Sequence, residues 1–252
     1  MSPSQPRSPI RLLLGALALA GACTSPRADP GYYLVTPYSQ AGQLALDLRY
    51  WTVKAPGSAA MLWPELGLRY GVNSRWTSEL FLSGIGTASS GFSQSSWNWQ
   101  NDVLLTQGES PFDLALHSQL IRNLGDQPSN ALEWGPALQT EWGLTQLNLN
   151  LILAHEQGSS KGTQLKYQWQ ALYRLDTGLR WGVQGFGELG NWRHWAPQAK
   201  QSHRAGPVLH LGLPSLFGSG TQAASELSLA YLFGKTYGHA GDMFSAQLLL
   251  PF

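Results

Sequence analysis

Charge is scarce in this sequence. Lys, Arg, Asp and Glu together make up 12% of its 252 residues, about half the share usual for a soluble globular domain. The formal net charge is only +1, so the electrostatic footprint expected of a nucleic-acid partner is missing. Cysteine occurs once, at Cys23, which excludes an intramolecular disulfide framework. Beyond residue 22 no run approaches the roughly 20 apolar residues that a membrane-spanning helix needs. The histidines are scattered, with no acid at ligand spacing to two of them, so neither a metal nor a cofactor is expected. If the mature chain enters a membrane, it must do so as a closed β-barrel, because only a helix or a closed sheet satisfies its backbone in lipid.

The first residues read as an export signal. "MSPSQPRSPIR" carries two arginines and no acid, and "LLLGALALAGA" over 12–22 is an apolar core ending in small residues. Residues 1–22 are therefore expected to be a cleaved signal peptide. Ala20, Gly21 and Ala22 form a small-x-small site, and Cys23 follows directly. Two readings remain open there. Cys23 is the lipid-bearing first residue of a bacterial lipoprotein with "TSPRADP" as its tether, or ordinary signal peptidase cuts nearby and the cysteine is incidental. The lipobox is imperfect, because Leu19 lies four residues before the cysteine and Ala20 stands where leucine is usual. Residues 23–41 are then a periplasmic N-terminal segment, and 42–252 the folded domain.

Abundance lies in glycine (28), tryptophan (11) and tyrosine (9), and the informative pattern has a period of two. In "LALDLRY" Leu44, Leu46, Leu48 and Tyr50 share one face while Asp47 and Arg49 take the other, as successive side chains of a strand must. "QLNLNLIL" repeats the pattern, with Leu147, Leu149, Leu151 and Leu153 opposite Asn148 and Asn150. About twelve such segments follow: 42–53, 60–70, 76–85, 97–107, 111–122, 131–141, 145–156, 163–175, 178–190, 204–214, 223–235 and 243–252. Each is long enough for a tilted strand to cross the apolar slab. Compact turns such as "GVNSR", "GESP", "DTG" and "FGSG" alternate with longer polar stretches such as "GTASSGFSQSS", "NLGDQPSN", "QGSSKG" and "NWRHWAPQAKQS". "WGL" at 142–144 is a tight turn with weak turn chemistry.

An even number of antiparallel strands with short turns on one side and longer loops on the other is the habit of outer-membrane barrels. The predicted fold is all-β: a transmembrane, up-and-down antiparallel barrel of about twelve strands in the cell outer membrane. A soluble β-sandwich or a lipocalin-like barrel also alternates, but it would turn its charged residues outward. Here the faces opposite the leucines hold small or polar residues with few lysines. The apolar faces carry aromatics near strand ends, at Tyr50, Tyr70, Trp76, Trp97, Trp99, Phe112, Trp134, Trp181 and Tyr231, as interfacial girdles do. Phe244, Ala246, Leu248, Leu250 and Phe252 form one alternating face of the closing strand. The aromatic Phe252 resembles the C-terminal signal read by the barrel-insertion machinery.

The hairpins at 63–82, 134–153 and 169–188 are loose echoes of one another. The run Pro64-Glu65-Leu66-Gly67-Leu68-Arg69-Tyr70-Gly71, followed by an aromatic and acidic strand, resembles the small outer-membrane barrels of the "MetA-pathway of phenol degradation" family. That resemblance covers most of the mature chain on motifs of low specificity. It implies an outer-membrane barrel fold and a role in small-molecule transport, with no catalytic or binding residues to carry over.

Taken literally, the alternation turns Asp47, Arg49, Glu65, Arg69, Glu79, Asp102, Asp113, His117, Glu133, Lys166, Arg174, Arg180 and Glu226 into the lumen, along with Glu141, Glu188 and His210. Acids outnumber bases. One reading is a mildly cation-preferring passive conduit for small solutes, hydrophobic ones included; the other is a paired ion network filling a narrow, non-conducting structural or adhesion barrel. An outer-membrane lipid hydrolase is the third class. It would need a serine and a histidine on one face, and no histidine here has Ser, Thr or Cys two positions away, which leaves only a pair formed between neighbouring strands. No enzyme activity is expected. The expected partners are outer-membrane lipid, lipopolysaccharide phosphates at the "NWRHWAPQAKQSHR" stretch, the insertion machinery and an unidentified solute.

Overall fold

Every segment with a period of two forms a strand. The computed structural model describes residues 33–54, 57–106, 108–125, 128–213, 225–236 and 239–252; the signal peptide and Cys23 lie outside the described residues. The strands are β1 (Leu44–Lys54), β2 (Met61–Gly71), β3 (Trp76–Thr87), β4 (Gly91–Leu104), β5 (Asp113–Asn123), β6 (Ser129–Trp142), β7 (Thr145–Glu156), β8 (Gln164–Asp176), β9 (Leu179–Asn191), β10 (Ser202–Leu213), β11 (Ser225–Thr236) and β12 (His239–Pro251). Each pairs antiparallel with its sequence neighbour, and β1 pairs with β12, so the twelve strands close into one barrel. No edge is left open. We call the rim where β1 begins and β12 ends the terminal rim, and the opposite one the far rim.

Two turns show local chemistry that the sequence pattern undervalued. The "WGL" turn is a two-residue hairpin in which Trp142 pairs with Thr145. Its Gly143 sits at φ +60°, the left-handed position that such turns assign to glycine. "GTASSGFSQSS", expected as a loop, instead continues the hairpin: Gly86 pairs with Phe92 and Thr87 with Gly91, leaving 88–90 as the turn. Hydroxyls do the capping there, since Thr87 N donates to Ser90 Oγ at 3.1 Å and Ser90 N to Thr87 Oγ1 at 3.1 Å.

Polarity across the wall is the reverse of a soluble protein's. Outward leucines are half exposed, with Leu66 at 46%, Leu80 at 49% and Leu120 at 50%, while the inward Asp47 and Asn150 are at 0% and His117 at 1%. Polar groups thus face the lumen and apolar ones face out, as a lipid solvent demands. Around the terminal rim the outer wall carries Tyr70, Trp76, Phe112, Trp142, Tyr173 and Trp181, all exposed. Indole N–H groups on this wall find partners along it: Trp76 Nε1 donates to Asn101 Oδ1 and Trp99 Nε1 to Ser78 Oγ, each at 3.0 Å. On β9 the outward Gly185 and Gly187 let the rings of Trp169 and Tyr167 lie flat against the strand.

The lumen is not uniformly polar, contrary to the alternation read literally. Trp51, Trp63, Leu172, Phe186, Val208, Leu232 and Met243 point inward from β1, β2 and β8–β12 and pack as one apolar cluster, with Trp51 and Trp63 stacked at 6.2 Å. This half of the wall buries apolar area inside the barrel as a soluble core does.

A second difference concerns the N-terminal segment. Residues 33–37, expected in the periplasm as part of 23–41, run inside the barrel. Tyr33 and Val35 are 8% and 3% exposed and pack on Ala115 and Ala137 of β5 and β6; Pro37 is fully buried. From there the segment runs to the terminal rim. There Ser39 Oγ donates to the carbonyls of Asn73 and Trp76 at 2.7 and 3.0 Å, and Gly42 N donates to Gly71 O at 2.7 Å. The reason is apolarity: "YLVTPY" is poor material for a solvated tether, and the lumen offers it both contact area and hydrogen-bond partners.

The outward leucine faces carry a stability prediction. Replacing mid-strand Leu66 by Arg should destabilise the bilayer-inserted barrel by about 2–4 kcal/mol, read from urea-dependent unfolding in liposomes. A cost near zero would mean that this face does not meet hydrocarbon.

Candidate functional site

The site is the lumen at the height of Arg49. Asp47 and Arg49 lie two apart on β1 and so share the inner face. Arg49 donates to Asp47 Oδ2 from Nε at 2.9 Å and from Nη2 at 2.7 Å, and from Nη2 to Glu79 Oε2 of β3 at 3.3 Å. Arg69 Nε of β2 reaches the same Glu79 oxygen at 4.0 Å. Two rings cover the guanidinium: the Tyr33 centroid is 3.4 Å from its Cζ and the Phe81 centroid 3.9 Å. The cation is thus held by two carboxylates and two aromatic rings. Gly67 permits this, because a Cβ there would lie 2.3 Å from the Phe81 ring.

Two further chains of hydrogen bonds extend the network. Ser83 Oγ donates to Glu65 Oε1 in a short contact, and Asn98 Nδ2 donates to Ser83 Oγ at 2.9 Å and to Glu65 at 3.2 Å. Tyr33 OH donates to Gln100 Oε1 at 2.7 Å, Gln100 Nε2 to Asp102 Oδ2 at 2.6 Å, and Asp102 Oδ1 meets His117 Nδ1 at 2.7 Å. Opposite, Asn150 Nδ2 donates to Val35 O at 2.9 Å while Val35 N donates to Gln168 Oε1 at 3.3 Å. Both backbone polar groups of Val35 are therefore met by side-chain amides.

The residues expected in the lumen separate by depth. Asp47, Arg49, Glu65, Glu79, Asp102 and His117 come together as the buried cluster, with Arg69 at its margin. Glu133 is buried apart from them and pairs with Lys166 Nζ at 3.1 Å. Glu188 pairs with Arg204 at 3.4 Å. At the terminal rim Arg174 bridges to Glu141 at 3.2 Å, both half exposed, and Arg180 donates to Gln146 Oε1 at 2.8 Å. Asp113 accepts from Tyr38 OH at 2.6 Å. Partial burial and then the Asp113 carboxylate push that phenol up to about 12, so it remains a donor at any physiological pH. Glu226 lines the remaining cavity. Phe252 is bound at the seam through its N–H to Leu44 O at 3.0 Å.

The residues missed by sequence reasoning are neutral. Gln100, Asn98, Asn150 and Gln168 sit on inward faces that the alternation had already sorted, but attention to charge passed over them. Tyr33 and Val35 carried no periodic signal; their only mark was an apolar, aromatic run in the expected periplasmic segment 23–41.

The free space that remains beside the inner segment is a cavity of about 90 Å³, room for a few waters. Its wall brings together the one serine–histidine pair of interest, Ser228 Oγ and His210 Nε2 at 3.1 Å, with Gln170 Nε2 on the same ring nitrogen at 3.2 Å. The partners of this imidazole are a hydroxyl and an amide, not the orienting carboxylate of a triad. The pair also faces the lumen, away from the lipid that a lipid hydrolase must reach. Among the described residues no cluster of His, Cys, Asp or Glu has metal-ligand geometry.

Known structures share this architecture. An outer membrane channel from Pseudomonas putida F1 superposes with a TM-score of 0.59 at 14% identity, over 90% of this chain and 100% of that one. The NanC porin superposes with a TM-score of 0.55 at 8% identity, over 81% of this chain and 98% of that one. At such identities the likeness is one of fold: this chain is an outer-membrane-type barrel. No protein-family model and no curated protein matches the sequence.

The Arg49 cluster predicts a strong effect of removing its cation. Arg49→Leu should cost about 3–5 kcal/mol, because Asp47 is left buried with no cation and Glu79 with only Arg69, at 4.0 Å. Adding Asp47→Asn and Glu79→Gln to the same chain should restore much of it. Equal stabilities of the single and triple variants in urea unfolding would remove Arg49 from the account of stability.

Proposed function

We propose that the protein is a channel of the Gram-negative outer membrane that passes small solutes passively. The observation that carries this reading is the inverted wall: half-exposed leucines outside, and charged and amide side chains gathered inside at one height. The barrels it resembles include a channel and a porin, and the "MetA-pathway of phenol degradation" likeness of residues 64–71 points to the same class of role. Acids outnumber bases among the inward residues, which favours cations. The outermost contacts are with lipid: Trp192 and Trp195 are 47% and 61% exposed at the far rim, and Arg193 and Lys200 beside them suit lipopolysaccharide phosphates. Phe252, exposed on the outer wall at the end of β12, is the residue offered to the insertion machinery.

A second reading is a closed structural barrel. It is favoured by the segment inside the lumen, which occupies the space beside the small cavity described above. The two readings part in a planar bilayer. The channel reading expects discrete conductance steps and, across a potassium chloride gradient, a reversal potential of the sign for cation preference. A silent bilayer, with the protein shown to be folded by its heat-modifiable migration on gels, would favour the closed barrel.

A further inference from the structure

We propose that residues 33–38 are a plug held by the lumen as a tethered ligand, and that their seat is an amide-reading site from which the segment withdraws when the pore opens. This rests on the channel reading above and names what regulates it.

Four features set the segment apart from permanent filling. It pairs with no strand: over 33–38 the backbone contacts to the wall are those of Val35, and they run to the side chains of Asn150 and Gln168. Its anchors are separate and few, namely Tyr33 on Gln100 and Arg49, Val35 on the two amides, and Tyr38 on Asp113. Behind it, around Ala115, Ala137 and Phe81, the wall is polar. Gln100, Asp102, His117, Gln119 and Asn150 are all buried on β4, β5 and β7, and each is a side chain that water can solvate once the segment leaves. Asn150 Oδ1 and Gln119 Oε1, both buried, have no hydrogen-bond partner, so the seat retains acceptor capacity that the plug does not use. The apolar cluster of Trp51, Trp63, Leu232 and Met243 on the other half of the wall shows how the same barrel closes space permanently: with side chains of its own strands.

The route out is also marked. A cavity already runs beside the segment, lined by Leu34 and Thr36 on one side and Gln170, Gln184 and Gln247 on the other. At the terminal rim, Ser39 and Gly42 are tied to the β2–β3 end of the wall, and Gly42 turns the chain at φ +76°. The rim contacts hold the root of the segment, from which residues 33–37 withdraw through the terminal mouth. A solute that presents a peptide-like amide would compete for Asn150 and Gln168.

The test uses the full chain, a variant lacking residues 33–38, and an Asn150→Leu/Gln168→Leu double variant that keeps the segment but removes its amide partners. The synthetic hexapeptide YLVTPY is the probe. The deletion should raise single-channel conductance several-fold over the full chain, and the peptide should then block it reversibly, while a scrambled peptide should not. The double variant should open more often than the full chain, and the same substitutions placed in the deletion background should weaken the peptide about tenfold. Measurable and equal conductance of the full chain and the deletion overturns the plug, as does failure of the peptide to bind the folded deletion variant, measured by quenching of tryptophan fluorescence. If neither protein conducts but the peptide binds and the amide substitutions weaken it, the seat stands and the channel reading falls.

Discussion

A wall that faces lipid cannot hold charge on its outside, and in this barrel that constraint governs everything inside. Closing β1 onto β12 removes the last unpaired edge, and the period of two then sends every second side chain inward. Acids and bases of β1–β5 meet in a space a few side chains wide. They are accommodated only because they neutralise one another and because neutral amides fill the gaps, as Asn98 does between Ser83 and Glu65. Arg49 is the pivot of this arrangement, the cation through which Asp47 and Glu79 are tied to one another across two strands.

Two ways of filling a lumen coexist here. On the side of β1, β2 and β8–β12, tryptophans, leucines and a methionine meet as they would in a soluble core, so that the interior surface there gains from burial. On the side of β3–β8 amides, hydroxyls and ion pairs predominate around the buried Phe81, Leu104, Ile121 and Ile152, and the inner segment adds Tyr33 and Val35 to that apolar content. Tyr33 belongs to both worlds: its ring covers Arg49 while its hydroxyl continues the Gln100–Asp102–His117 chain. An amphipathic side chain of this kind spans an apolar contact and a polar one at little conformational cost.

The strand count was legible in the sequence, because it depends on a local rule, whereas Arg204, read as part of an exterior basic stretch, is buried beside Glu188. Asp47 and Arg49 are two apart, and so are Leu147, Leu149 and Leu151; nothing distant is needed to sort them. What was not legible depends on distance. The alternation places Trp51 and Met243 on inward faces, but only the ring order and stagger bring them together. The same holds for Ser228 and His210, which no spacing along one strand can reveal, and for Glu133, which is drawn to Lys166 and away from the central cluster. Residues 33–37 escaped because their conformation is dictated by the cavity that receives them and not by any repeat of their own. The hairpin at 86–92 was misjudged for a simpler reason: glycine and serine make good turns and also good strand tips, and composition does not distinguish them.

The Gln247 side chain donates to both oxygens of Asp47, at 3.1 and 2.8 Å, across 200 residues of sequence. These bonds cross the seam between β1 and β12, which is the ladder with the greatest loop-closure entropy to overcome. Assembly of the polar interior is therefore coupled to the final ring closure: until the seam zips, Asp47 lacks one of its partners and both edge strands offer bare backbone to anything nearby. Completion of the interior network and loss of aggregation-prone edges are one event in the life of this chain.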